Sequence, residues 1–185
     1  MDNPPSGITT ATYRHVEALA AAMCREHARE ARDTADVSPP AALRLSLAGS
    51  LEAYAMLADD GATPVFAMGV EQAGLLSGSA MVWMLGTDAM KRRPAALLRA
   101  ARWGVNRAFA VTGADRLEQY IPEWYGAGLR FALRLGFGAG PANLRCGNGV
   151  RLRHVVLARA AARSDNRKGQ PWEYSTPHSP RPAYP

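Results

Sequence analysis

A chain of 185 residues, 48% apolar and 21% charged, has the length of one globular domain and enough apolar side chains for a core, which excludes collagen-like, coiled-coil and wholly disordered architectures. No run of about eighteen apolar residues occurs, and Met1-Asp2-Asn3-Pro4-Pro5 lacks the basic start and apolar stretch of a secretory signal, so a soluble protein made in a cytoplasm, without membrane contact, is expected. The net charge of +6 is uneven: residues 1–90 hold 5 basic and 11 acidic side chains, residues 91–185 hold 17 and 5. A basic half can attract DNA or another polyanion by neutralising phosphates. Yet 20 of the 22 basic residues are Arg, spread without aromatic interleaving, which favours solvated faces and protein contacts over nucleic acid. Cys24 and Cys146 have no CxxC or Cys/His spacing, and His15, His27, His154 and His178 show no HxH or HExxH pattern, so no disulfide framework and no metal site is expected.

After a Pro-rich start, residues 7–12 have the β-branched composition of a short strand. From Tyr13 to about Asp33 the residues Val16, Leu19, Ala20 and Met23 recur at helical spacing, while Arg25, Glu26, Arg29 and Glu30 fill another face, which predicts one amphipathic helix. Ser38-Pro39-Pro40 restarts the chain, and residues 41–47 read as a short second helix. Three strands follow at 52–58, 63–71 and 79–85, the first two joined across Asp59-Asp60-Gly61, where Asp and Gly tolerate positive φ. Pro94 suits the first turn of a third helix, along which Leu97, Ala101, Val105 and Phe109 form an i, i+4 stripe. Residues 117–121 read as a strand, 124–135 as a fourth helix closed by Gly136, and 152–159 as a last strand.

Residues 164–185 carry five of the 13 prolines and no apolar periodicity. The expected organisation is therefore one domain over 1–163 followed by an extended Pro-rich tail at 164–185. Trp172, Tyr174 and Tyr184 suit it to docking in a partner's groove, with a plain solvated tail as the equal alternative. Trp83 and Trp103 are expected to pack together or on neighbouring aromatics.

The element order β-α-α-β-β-β-α-β-α-β resembles the acetyltransferase superfamily built on the GNAT fold, an α/β (α+β) architecture with a mixed, largely antiparallel sheet flanked by helices. Leu129-Arg-Phe-Ala-Leu-Arg-Leu-Gly-Phe137 looks like that family's penultimate helix with its Leu-Gly-Phe turn, and Val82-Trp83-Met84-Leu85-Gly86-Thr87-Asp88 looks like the strand ending of bacteriophage members. That phage branch includes acetyltransferases and internal virion proteins, and the resemblance spans about residues 8–160.

The resemblance implies three requirements for a working enzyme. The first is a Gly-rich loop whose N–H groups cradle the diphosphate of coenzyme A at a helix N-terminus. Here that connection runs from Gly86 to Pro94 without a second glycine; Lys91, Arg92 and Arg93 could hold phosphates by charge, although exposed basic residues are more often solvated. The second is a Tyr that protonates the departing thiolate. Its position is Ala132, leaving Tyr120 or Tyr125 as substitutes from elsewhere. The third is an Asn at the start of this helix. The phage pattern Asn-Tyr-Val-Asp-Ala-Arg-Asn is replaced by Gln119-Tyr-Ile-Pro-Glu-Trp-Tyr125. For a general base, Glu71, Glu118 and Glu123 are candidates, with Glu123 first among them; its competing reading is a surface carboxylate favoured by the helix dipole.

These departures lead to the expectation of a catalytically degenerate GNAT-like domain without a cofactor, acting through contacts as a bacteriophage virion or virion-assembly protein. Its partners would be other virion proteins, with a homo-oligomer open and DNA contact not favoured, and its place the virion, or the host cytoplasm during assembly. The alternative is an active acetyl-CoA-dependent N-acetyltransferase. In that case Val82, Trp83, Met84 and Leu85 hold the pantetheine, Lys91, Arg92 and Arg93 the phosphates, and Glu123 and Tyr125 do the proton chemistry. Fold alone does not decide between the two.

Overall fold

The computed structural model describes residues 3–73, 78–142 and 144–159. Strand β1 (Ile8–Thr10) leads into helix α1 (Tyr13–Ala21), α2 (Arg25–Ala35) and α3 (Pro39–Gly49). Strands β2 (Glu52–Leu57), β3 (Pro64–Gln72) and β4 (Ser79–Gly86) follow, then a 3-10 turn over Asp88–Arg92 and helix α4 (Pro94–Thr112). The chain continues through β5 (Arg116–Pro122), α5 (Gly126–Arg134), β6 (Gly138–Ala139), β7 (Leu144–Arg145) and β8 (Arg151–Ala158). This is the expected mixed α/β architecture with a mostly antiparallel sheet. The tail at 164–185, with its aromatic residues, and the domain boundary at 163 lie outside the described residues.

Local chemistry explains most boundaries. Thr12 caps α1 reciprocally, its hydroxyl accepting from the His15 N–H while His15 Nδ1 accepts from the Thr12 N–H. Asp60 Oδ1 accepts from the N–H groups of Ala62 (2.9 Å) and Thr63 (2.8 Å), fixing the β2–β3 turn. The single helix expected over 13–33 is two. It breaks at residues 22–24 because Met23 makes an isolated bridge to Thr87 and the Cys24 N–H bonds the Gly86 carbonyl at 3.0 Å, a tertiary partner that overrides local helix preference.

The strands lie in the order β1-β2-β3-β4-β5-β8-β6, with β7 also paired to β8. Among the described residues every strand pairing is antiparallel except that between β4 and β5. Val70, Ala80, Leu117, Ile121, Val155 and Leu157 pack with Phe109 of α4 and Ala132 of α5. Ala67 packs instead with Val16, Leu19 and Leu43 from α1 and α3. Trp83 joins this second group, whereas Trp103 makes an edge contact with Tyr54 at 4.8 Å between ring centres. The two tryptophans therefore do not pack together: Trp83 hydrogen-bonds Ser50 Oγ through Nε1 at 2.9 Å.

Candidate functional site

The parallel pairing of β4 with β5 lasts three positions, Ser79 with Arg116, Ala80 with Leu117 and Met81 with Glu118. Beyond them the strands diverge, β4 to Gly86 and β5 to Pro122. The backbone phase on β4 is set at its end. Gly86 turns its N–H to His27 Nδ1 (2.9 Å) and its carbonyl to the Cys24 N–H, away from β3, while the Thr87 N–H bonds Val65 on β3. The two-residue alternation of a strand gives Val82 and Met84 the same orientation as Gly86, so their peptide edges face the wedge, past the last β5 partner.

A cavity of about 300 Å³ occupies this wedge and continues beneath α4 and α5. Its walls are mainly apolar: Met68, Val82 and Met84 from the sheet, Ala101, Gly104 and Val105 from α4, Phe131 and Leu135 from α5. Such a concave, preformed site with few polar groups suits a largely apolar ligand. Gly104 keeps α4 close to the sheet, since a Cβ there would lie 2.7 Å from Met68 Sδ.

Two polar clusters line the cavity: Glu52, Tyr54 and Arg107, hydrogen-bonded together where β2 meets α4, and His27, Glu30 and Tyr125 where α2 meets the start of α5. Tyr125 Oη lies 3.0 Å from His27 Nε2, and His27 is 2% exposed. Burial pushes the His27 pKa down to about 4, so the ring is neutral at pH 7. The Gly86 N–H at 2.9 Å is closer to Nδ1 than the Gly86 carbonyl at 3.4 Å, and an amide N–H can only donate, so Nδ1 is assigned as acceptor and the single ring proton to Nε2, which donates to Tyr125 Oη. The hydroxyl proton of Tyr125 is thereby left for a ligand. Burial, reinforced by the charge of Glu30, raises the Tyr125 pKa and keeps that proton in place.

Glu30, also in the wall, is partly buried. Desolvation raises its pKa to about 7, and its carboxylate has no hydrogen bond or ion pair among the described residues. One proton-accepting carboxylate and one proton-holding phenol thus border the same apolar space.

Among the residues singled out in the sequence, Val82, Trp83, Met84, Lys91 and Tyr125 line this cavity; Leu85, Arg92, Arg93 and Glu123 do not. Glu123 lies outside it, 3.4 Å from Arg151 Nε and 3.6 Å from Arg153 Nη2. Glu71 and Glu118 are also elsewhere, and Glu118 accepts hydrogen bonds from His154 (2.9 Å) and Arg116 (2.6 Å) that hold its pKa at about 2. Tyr120 stacks on His154. His27 and Glu30 are the wall residues that sequence reasoning missed. Their spacing of three places them on one strip of α2, the signal that was available.

Coenzyme A, the group that the resemblance to the GNAT fold implies, finds only part of a seat here. The thioester arm fits: β4 offers peptide edges, the walls are apolar, and Tyr125 offers a proton. The diphosphate does not. The Ala89 N–H is bound by Thr87 Oγ1, the Met90 N–H by the Thr87 carbonyl and the Arg93 N–H by the Met90 carbonyl, while Pro94 has none. Two of the three cations there, Lys91 and Arg93, are also engaged. Lys91 Nζ lies 2.9 Å from Glu26 and 2.6 Å from Asp88, and Arg93 Nη1 lies 2.6 Å from Asp59 Oδ1. Cys24, Glu26 and Asp88 converge within 4.8 Å, where Lys91 supplies the compensating positive charge.

No protein-family model and no curated protein matches the chain. Solved structures do. A spermidine N-acetyltransferase from Vibrio cholerae superposes with TM-score 0.64 at 4% identity, covering 86% of this chain and 99% of that one. A GNAT-family acetyltransferase from Bacillus anthracis gives 0.60 at 9% identity, with coverage of 82% and 93%. A GCN5-related N-acetyltransferase from Brucella melitensis gives 0.60 at 15%, with 83% and 76%. The fold is that of the GNAT acetyltransferases, and at these identities the likeness extends to the fold alone.

Proposed function

We propose that this chain transfers an acyl group from a thioester to an amine. The observation that carries the reading is the pairing of Tyr125 with a neutral His27 in the wall of the β4–β5 wedge, one helical turn from a Glu30 unpaired among the described residues. The thioester supplies the activated acyl group. The peptide edges of Val82 and Met84 align its amide-bearing arm as an added strand would be aligned. Glu30 takes the proton that the amine loses as its nitrogen bonds to the acyl carbon. Tyr125 Oη–H donates to the sulfur as the carbon–sulfur bond breaks, and His27 Nε2–H holds that oxygen in place. The apolar walls exclude water that would otherwise hydrolyse the thioester.

The test is thiol release in the presence of a panel of primary amines, with acetyl-pantetheine and acetyl-coenzyme A as donors. Amine-dependent release that disappears in Tyr125→Phe supports the reading, and none with any amine refutes it. A second reading is favoured by the engaged amides and cations of the 86–94 connection: a degenerate body working through contacts, in the virion or during virion assembly, with other virion proteins as partners. It expects particle association and no thiol release.

A further inference from the structure

The mismatch between an open arm slot and an occupied diphosphate seat has a consequence for the donor. On the basis of the transfer reading above, we infer that the acyl group arrives on a pantetheine arm tethered to an acidic carrier protein rather than on a nucleotide coenzyme.

Three observations converge on this. First, a diphosphate on the 86–94 connection would have to compete with the hydrogen bonds holding the Ala89, Met90 and Arg93 amides. It would also meet Glu26, Asp88 and Asp59, already paired with Lys91 and Arg93, so the local charge is close to neutral where a polyanion needs an excess of cation. Secondly, the wedge itself remains open and apolar, and β4 turns the Val82 and Met84 peptides into it. The slot serves the arm and makes no demand on the nucleotide.

Thirdly, two of the three helices that line the slot, α4 and α5, carry charge of one sign, while α2 contributes Glu30. Neither α4 nor α5 contains an acidic residue, and Arg130 and Arg134 are exposed on α5. Arg130 and Arg134 each follow a wall residue, Ala127 and Phe131, by three positions, which places them on the strip beside the cavity. A basic edge on α5 beside an arm-sized slot complements an acidic protein that delivers a flexible prosthetic arm. Rim charges of this kind act through encounter and orientation and are screened by salt.

The experiment is calorimetry on the full chain with three non-reactive probes: the acetonyl thioether of pantetheine, the same thioether of coenzyme A, and an acidic acyl carrier protein bearing it on its arm. The pantetheine and coenzyme probes are expected to bind within about tenfold of each other, and the carrier-borne probe at least about tenfold more tightly at low salt, an advantage lost at high salt. Arg130→Glu with Arg134→Glu should remove that advantage, while retained binding of the pantetheine probe reports an intact slot. A coenzyme probe more than about tenfold tighter than pantetheine overturns the inference, because a diphosphate would then contribute binding free energy. A carrier-borne probe no tighter than pantetheine overturns it as well, as does absence of binding by all three. The expected order of affinities without thiol release would sink the transfer chemistry and leave the docking standing, so the two failures are distinct.

Discussion

Tyr125 Oη and His27 Nε2 stand 3.0 Å apart although 98 positions separate them in sequence, and the contact ties α2 to the start of α5. The Gly86 amide fixes the other ring nitrogen as an acceptor, so one backbone N–H at the end of β4 decides which way the phenol proton points. The first prediction follows. Tyr125→Phe keeps the ring and removes the oxygen, and thiol release should fall about 100-fold with little change in donor KM. The His27 Nε2–H is then left buried without its partner, which should cost about 1 kcal/mol in urea unfolding. An unchanged rate would remove Tyr125 from the chemistry.

Glu30 gives a second prediction with two independent readouts. Its pKa is raised from 4.5 to about 7 by desolvation, so thiol release should climb as pH passes through 7, and Glu30→Gln should abolish that limb. Stability should move oppositely. Between the two pKa values the folded chain holds a proton that the unfolded chain has lost, so stability falls as pH rises from 4.5 to 7. Glu30→Gln should therefore be more stable than the parent above pH 7, by about 2 kcal/mol after allowance for partial exposure. Parallel pH dependences for the two proteins would show that the carboxylate is solvated.

How much of this was legible in the chain depends on how far apart the partners lie. The stripe at Leu97, Ala101, Val105 and Phe109, the Asp60-Gly61 turn and the β2–β3–β4 meander follow from neighbours a few residues apart, and the structure has them. The break at Met23 and Cys24 could not be read, because residues 20–25 suit a helix locally and their competing partners, Gly86 and Thr87, lie on a distant strand. The same limit hid the site. Sequence reasoning found Ala132 where the phenol was sought and named Tyr125, at that helix's N-cap, as a substitute, but paired it with Glu123 rather than with His27 and Glu30. Glu30 looked like one more charge on a polar face because the apolar space beside it is made by β4, α4 and α5.

His27 supplies the third prediction, with the sign opposite to that of Glu30. Its pKa falls from 6.5 to about 4 on burial, so between those values the unfolded chain binds a proton that the folded chain refuses. Its contribution is therefore complete above pH 6.5 and lost as pH falls towards 4. His27→Gln removes this titration, and its melting temperature should approach that of the parent as pH drops through the window. A constant gap between the two melting curves from pH 7 to 4 would show that the imidazole is not held neutral.

The last prediction concerns Gly69, which faces Trp83 directly across β3 and β4. A Cβ at Gly69 would sit 2.7 Å from three atoms of the indole, including Nε1, which is itself anchored to Ser50 Oγ at 2.9 Å. The indole cannot retreat without giving up that bond or pressing on the packing against Val16, Leu19 and Leu43. Gly69→Ala should therefore destabilise the fold by about 1–3 kcal/mol through overpacking. Because the smaller ring of phenylalanine lacks the crowded indole atoms, Gly69→Ala combined with Trp83→Phe should be less destabilised than the sum of the single changes, which a double-mutant cycle in urea measures. Strict additivity would mean that the backbone at Gly69, rather than the indole, sets the need for glycine. Trp83 also borders the cavity, so displacement of its ring in Gly69→Ala should weaken binding of a pantetheine thioether, and Ser50→Ala, which frees the indole without crowding it, should do so less.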